Sequence, residues 1–127
     1  MSTSTVVTKA GKLNLQIERY ATFSVPLQFK QKAPPQDPID FTGATFKMQI
    51  RENKQLPAVL MELTTGNGRI VSVDLTQGQI QILLTAAETA TLEKKLGVYD
   101  LLATHGSGQV DRLLEGQVEV SDGVTHS

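Results

Sequence analysis

The chain has 127 residues, 39% of them hydrophobic and 20% charged, which suits one domain able to bury roughly two thirds of the surface exposed by its unfolded chain. Twelve Lys and Arg against thirteen Asp and Glu leave a net charge of -1 with no block of like charge, arguing against a dedicated nucleic-acid binder, because counterion release needs clustered cations. The lack of Cys excludes disulfides, thiolate catalysis and Cys-ligated zinc, and the apolar runs are too short for a membrane-spanning helix.

In chain order, residues 1–11 are rich in Ser and Thr and show no apolar periodicity beyond Val6 and Val7. They are expected to form a flexible or partner-bound arm, without the basic and apolar regions of a secretory signal. Residues 12–127 are then a single β-sandwich domain. Period two dominates it. Leu13, Leu15 and Ile17 alternate with polar residues, as do Phe23, Val25, Leu27 and Phe29. Between that strand and the next, Lys32-Ala-Pro-Pro-Gln-Asp-Pro38 packs three prolines into five positions and predicts an extended surface loop outside any ladder. Alternation resumes at Phe46, Met48 and Ile50, and at Val59, Met61 and Leu63. It continues at Val71, Val73 and Leu75, and at Ile80, Ile82 and Leu84. Each set places apolar groups on one face of a strand, as in an antiparallel sheet with one solvated side.

Turn residues punctuate the pattern at Gly66-Asn67-Gly68, which suits a tight hairpin, at Thr76-Gln77-Gly78 and at Gly106-Ser107-Gly108. One segment departs from period two. Thr85-Ala-Ala-Glu88 reads as a capping box, and a short helix is predicted over about 85–96 with Leu92 and Leu96 on one face, Lys94 and Lys95 in the last turn and Gly97 as its C′ residue. The last segment, Gln109 to Val120, is long, with Gly116 marking a bulge or bend. The fold class is all-β: an antiparallel β-sandwich of seven or eight strands with one short helix.

Chemistry-bearing residues are sparse. His105 flanks a turn and His126 lies next to the end, and neither has an orienting partner in sequence. Ser107, His105 and Asp111 assemble a triad on paper, but neighbours on a hairpin tip have the wrong geometry. The scattered Asp residues lack calcium-loop spacing, and neither Gly-x-Gly precedes the helix and Lys of a phosphate loop. The reading is a non-enzyme with no cofactor and no metal. Lys9, Lys12, Arg19, Lys30 and Lys32 enrich the first quarter in positive charge, compatible with solvated strands or an acidic partner. Without Trp, the platform usual in carbohydrate-binding modules is missing, and Tyr20 and Tyr99 read as core or corner residues. Arg112 and Asp100 are placed to form a cross-strand ion pair.

The order of features carries a resemblance. Asp40-Phe-Thr-Gly-Ala44 leads into a strand ending Gln49-Ile-Arg51, and Gln79-Ile-Gln-Ile82 runs into Leu84-Thr-Ala-Ala-Glu-Thr-Ala90. Then come Gly97-Val-Tyr-Asp-Leu101 and Arg112-Leu-Leu-Glu-Gly-Gln-Val-Glu-Val120. Over about residues 12–124 this layout resembles small structural proteins of tailed bacteriophages and is similar to the N-terminal domain of the lactococcal-phage upper baseplate protein. The resemblance implies a non-enzymatic virion protein of the tail, baseplate or fibre-attachment region, assembled in the bacterial cytoplasm. Its partners would be other phage structural proteins, in several copies or as a homo-oligomer, and neither nucleic acid nor membrane. The chain ends at Ser127 without a receptor-binding extension, which favours an adaptor or accessory role. Rival readings are a capsid decoration or stabilising protein, a carbohydrate-binding module and a small hydrolase. The predicted interface comprises Val6, Val7 and Lys9 of the arm with Pro34, Pro35, Asp37 and Pro38 of the proline loop.

Overall fold

Alternating side chains fold the chain into two packed β-sheets. The computed structural model describes residues 4–7 (backbone only), 11–31, 35, 37–55, 58–93 and 95–122. In chain order the strands are β1 (Ser4–Val7), β2 (Gly11–Lys12), β3 (Leu15–Arg19), β4 (Phe23–Lys30), β5 (Thr45–Arg51) and β6 (Val59–Thr64). They continue as β7 (Ile70–Asp74), β8 (Gln79–Leu84), β9 (Lys95–Thr104) and β10 (Val110–Asp122), with α1 (Ala86–Thr89) between β8 and β9. One sheet has the order β1-β4-β8-β7, and the other runs from β2 and β3, both beside β10, through β9 and β5 to β6. Counting β2 and β3 as one broken edge strand, the described residues hold eight strands after β1.

The core lies between the sheets. Leu27, Phe29, Ile70, Ile80, Ile82 and Leu84 face Ile17, Phe46, Met48, Ile50, Leu63, Leu101 and Leu114, all buried. Phe41, from the loop before β5, meets Phe29 and Phe46 edge-on at 5.8 and 5.1 Å. Burying each such side chain contributes about 1.5–3 kcal/mol, so the period-two sets are what close the sandwich.

Several expectations change in detail. The central ladders are antiparallel, but the edge pairings β1 with β4 and β2 and β3 with β10 are parallel. In each case the parallel partners belong to elements that are not consecutive in the chain. Gly66-Asn67-Gly68 is not a hairpin turn, because β6 and β7 belong to different sheets. Asn67 Oδ1 accepts the Thr64 and Arg69 N–H groups at 3.0 and 3.1 Å, making this a corner between layers. In β7 the buried residue is Ile70, whereas Val73 is 57% exposed where the register shifts.

The helix is the largest correction. The capping box is present, with Thr85 Oγ1 accepting the Glu88 N–H at 3.1 Å and Glu88 Oε1 accepting the Thr85 N–H at 2.9 Å. The α-helix nevertheless covers only Ala86–Thr89. Pairing with β10 captures the residues expected in later turns, since Lys95, Leu96 and Gly97 lie opposite Val120, Glu119 and Val118. A ladder tied to the core overrides a weak local helix preference. Leu92 is buried but Leu96 is 66% exposed on β9, and Lys94 falls outside the described residues. Gly97 is a strand residue rather than a C′ cap: a Cβ there would lie 2.7 Å from the Arg51 carbonyl oxygen.

Gly116 answers to a similar approach. A Cβ would stand 2.2 Å from the Leu13 carbonyl oxygen, while the bulge in β10 falls instead between Arg112 and Leu114. The gap lets the break between β2 and β3 dock on β10. There the Leu13 N–H donates to Glu115 O at 3.1 Å, and the Gln117 N–H donates to Asn14 Oδ1 at 3.0 Å. The Tyr99 hydroxyl donates to Leu13 O at 2.5 Å, and burial holds its pKa above the usual phenol value.

Candidate interaction surface

Of the predicted interface residues, Val6, Val7, Asp37 and Pro38 border the end of β4. Val6 and Val7 are the register partners of Phe29 and Lys30 on β4. The proline segment folds back on the opposite side of the same strand end. Pro38 forms an antiparallel bridge with Lys30, flanked by Gln31 N–H to Asp37 O at 2.8 Å and Ile39 N–H to Phe29 O at 3.0 Å. The expectation that this segment stays outside any ladder therefore changes. Pro38 sits where the bridge uses the carbonyl before it and the N–H after it, so its missing donor is not needed. Pro35 and Asp37 close a local turn, the Asp37 N–H donating to Pro35 O at 2.9 Å. Lys9 and Pro34 lie outside the described residues.

A second surface escaped the sequence reading. The outer face of the larger sheet carries a groove of about 480 Å³ whose lining includes Gln49, Arg51, Asp100, Arg112 and Glu115. Gln49 and Glu115 are the register partners of Asp100, and Glu62 is that of Gln49, so a polar row crosses four strands. Gln49 Nε2 donates to Glu62 Oε2 at 3.1 Å, and Arg51 Nη2 donates to Gln49 Oε1 at 2.7 Å. Asp100 and Glu115, both acidic, are opposed, and Arg112 Nε reaches Asp100 Oδ2 at 3.2 Å to offset the repulsion. The expected Arg112–Asp100 pair is thus present, an exposed bond worth about 0.2–1 kcal/mol. The signal for the row was the alternation itself: each residue flanks an inward apolar one.

The hairpin between β9 and β10 brings two members of the paper triad together. His105 Nε2 and Asp111 Oδ2 are 2.9 Å apart, and the imidazole stacks on Phe41. Ser107 Oγ instead accepts the Gln109 N–H at 3.4 Å within the turn. The pair clips the hairpin to the core. Among the described residues, no three His, Asp or Glu side chains gather as metal ligands would, and no helix is long and apolar enough to cross a membrane.

Neither a family model nor a curated protein matches this chain. Among solved structures, the N-terminal domain of phage TP901-1 ORF48 superimposes with a TM-score of 0.54 at 13% identity, covering 94% of each chain. The two share a fold. At this identity the likeness concerns architecture, and it extends over nearly the whole sandwich, as the feature-order resemblance implied.

Proposed function

We propose that this chain is a non-enzymatic structural protein of a tailed-phage virion, placed in the tail, baseplate or fibre-attachment region. The observation that carries the proposal is the shared fold with a phage protein's N-terminal domain over 94% of both chains. The resemblance in feature order points the same way and adds the baseplate. In this reading the chain works by binding other phage structural proteins in several copies, within particles assembled in the bacterial cytoplasm. The arm, with Val6, Val7 and Lys9, and the loop residues Pro34, Pro35, Asp37 and Pro38 are the contact regions. Support comes from the two segments meeting on β4 and from the polar row open on the other sheet.

Fractionation of virions tests this reading. Purified particles are dissociated into heads and tails, and each fraction is analysed by mass spectrometry. Recovery with tails supports the proposal, whereas recovery with heads would favour a capsid decoration protein. Absence from both would remove the virion role.

A further inference from the structure

We propose that residues 4–7 form an exchangeable strand, and that β1 of one copy can seat on residues 27–30 of β4 in a second copy, in the register it takes on its own chain. The partner is thus another molecule of this protein. This names the multi-copy contact of the reading above, and it is tested on purified chains without particles, so that either idea can fail alone.

The acceptor edge lies on β4, on the side away from β8. The Phe29 N–H donates to Gly78 O beside β8, and successive strand residues turn their backbone polar groups to opposite edges. Gln28 and Lys30 therefore present theirs toward β1, and so would Pro26, which has no N–H. Among the described residues, pairing with β1 runs from Ser4 with Leu27, one residue beyond Pro26, to Val7 with Lys30. Proline closes one end of this edge against a longer strand.

The other sheet edges are guarded differently. The β6 and β7 ladders each carry a register shift, and the β2–β3 edge is broken and carries Lys12, Glu18 and Arg19. Bulges, breaks and charges all discourage added strands. Ser4-Thr-Val-Val7 has no charge or proline, and three of its four residues are β-branched.

β1 also stands apart from the rest of the fold. Its ladder is with β4 alone, and both sheets keep all their other pairings without it. Three residues separate Val7 from Gly11, a reach of at most about 14 Å, to cross between sheets packed roughly 10 Å apart. Exchange replaces every contact of the arm with the identical contact on a neighbour, which makes it a low-cost route to association.

The lack of native Cys permits a direct test. Thr5 and Gln28 are register partners, so Thr5→Cys and Gln28→Cys are made in separate chains, mixed at high concentration and mildly oxidised. Ser107→Cys on the distant hairpin replaces Thr5→Cys in the control mixture. Circular dichroism and unfolding midpoints verify that each variant folds. Exchange predicts a Thr5–Gln28 disulfide heterodimer several-fold above the control. Heterodimer at the control level, with ready closure in a single chain carrying both substitutions, would overturn it and leave the arm on its own sandwich. A predominance of Thr5–Thr5 dimers would also overturn it, in favour of edge-to-edge pairing of two β1 strands.

Discussion

Gly116→Ala should damage this domain through one close backbone approach. Its Cβ would stand 2.2 Å from the Leu13 carbonyl oxygen and 2.9 Å from the carbonyl carbon, against backbone that cannot swing aside as a long side chain can. The break between β2 and β3 must then move off β10 by about an ångström, far enough to lose van der Waals fit and hydrogen-bond geometry. Three hydrogen bonds depend on that docking: Leu13 N–H to Glu115 O, Gln117 N–H to Asn14 Oδ1, and Tyr99 hydroxyl to Leu13 O. At about 1 kcal/mol each the loss is about 3 kcal/mol, and more if the buried hydroxyl finds no substitute. In urea, with an m-value of 1–3 kcal/mol/M, the midpoint should fall by roughly 1–3 M. Tyr99→Phe removes one of these bonds and should cost about 1 kcal/mol. The double variant should cost less than the two singles together, because both act on one carbonyl. A Gly116→Ala midpoint within about 0.3 M of the parent, on the same m-value scale, would refute the docking account.

Gly97→Val is expected to destabilise by about 1–3 kcal/mol through overpacking against the Arg51 carbonyl, and Gly97→Ala should already show much of the loss in the same urea assay. Thr85→Ala should cost about 1 kcal/mol by orphaning the Glu88 amide. The Thr85 N–H, and after it Arg69 at 2.5 Å, hold the Glu88 carboxyl below its usual range. Its contribution is therefore present above the unfolded value and lost as pH falls through the folded one. Glu88→Gln should flatten that acid limb in a pH series of melts. Tyr99 has the opposite sign: its raised pKa leaves stability intact below the unfolded phenol value near 10 and erodes it as pH climbs beyond, a loss that Tyr99→Phe should diminish. Deleting residues 2–10 should lower the urea midpoint less than Gly116→Ala does, since every other strand pairing persists without β1.

The sandwich was legible because burial is written in period two. Leu27, Phe29, Phe46, Met48, Ile50, Ile80 and Ile82 all point inward, as their spacing requires. What spacing cannot encode is which sheet a strand joins. Gly66-Asn67-Gly68 has the residues of a hairpin, yet the chain there passes between layers, because a turn's local chemistry does not see its neighbours across the core. Likewise Thr85-Ala-Ala-Glu88 specified the helix start, while the helix end was decided by β10, some twenty residues away in sequence. The glycines at 97 and 116 read as a cap and a bend, and both serve close backbone approaches visible only once partner strands are in place. Val6, Val7 and Pro38 stand out by composition, and nothing in composition says that they border β4. The outer polar row went unseen for a simpler reason. Its members are the ordinary polar half of an alternating strand, and only the register of four strands aligns them.

Cryo-electron microscopy of purified phage particles, at a resolution that separates the strands of a sandwich, tests the proposed virion role. Copies of the two-sheet domain are expected in the tail or baseplate. Copies bound across the head lattice, or a complete reconstruction of the particle without the domain, would contradict this placement.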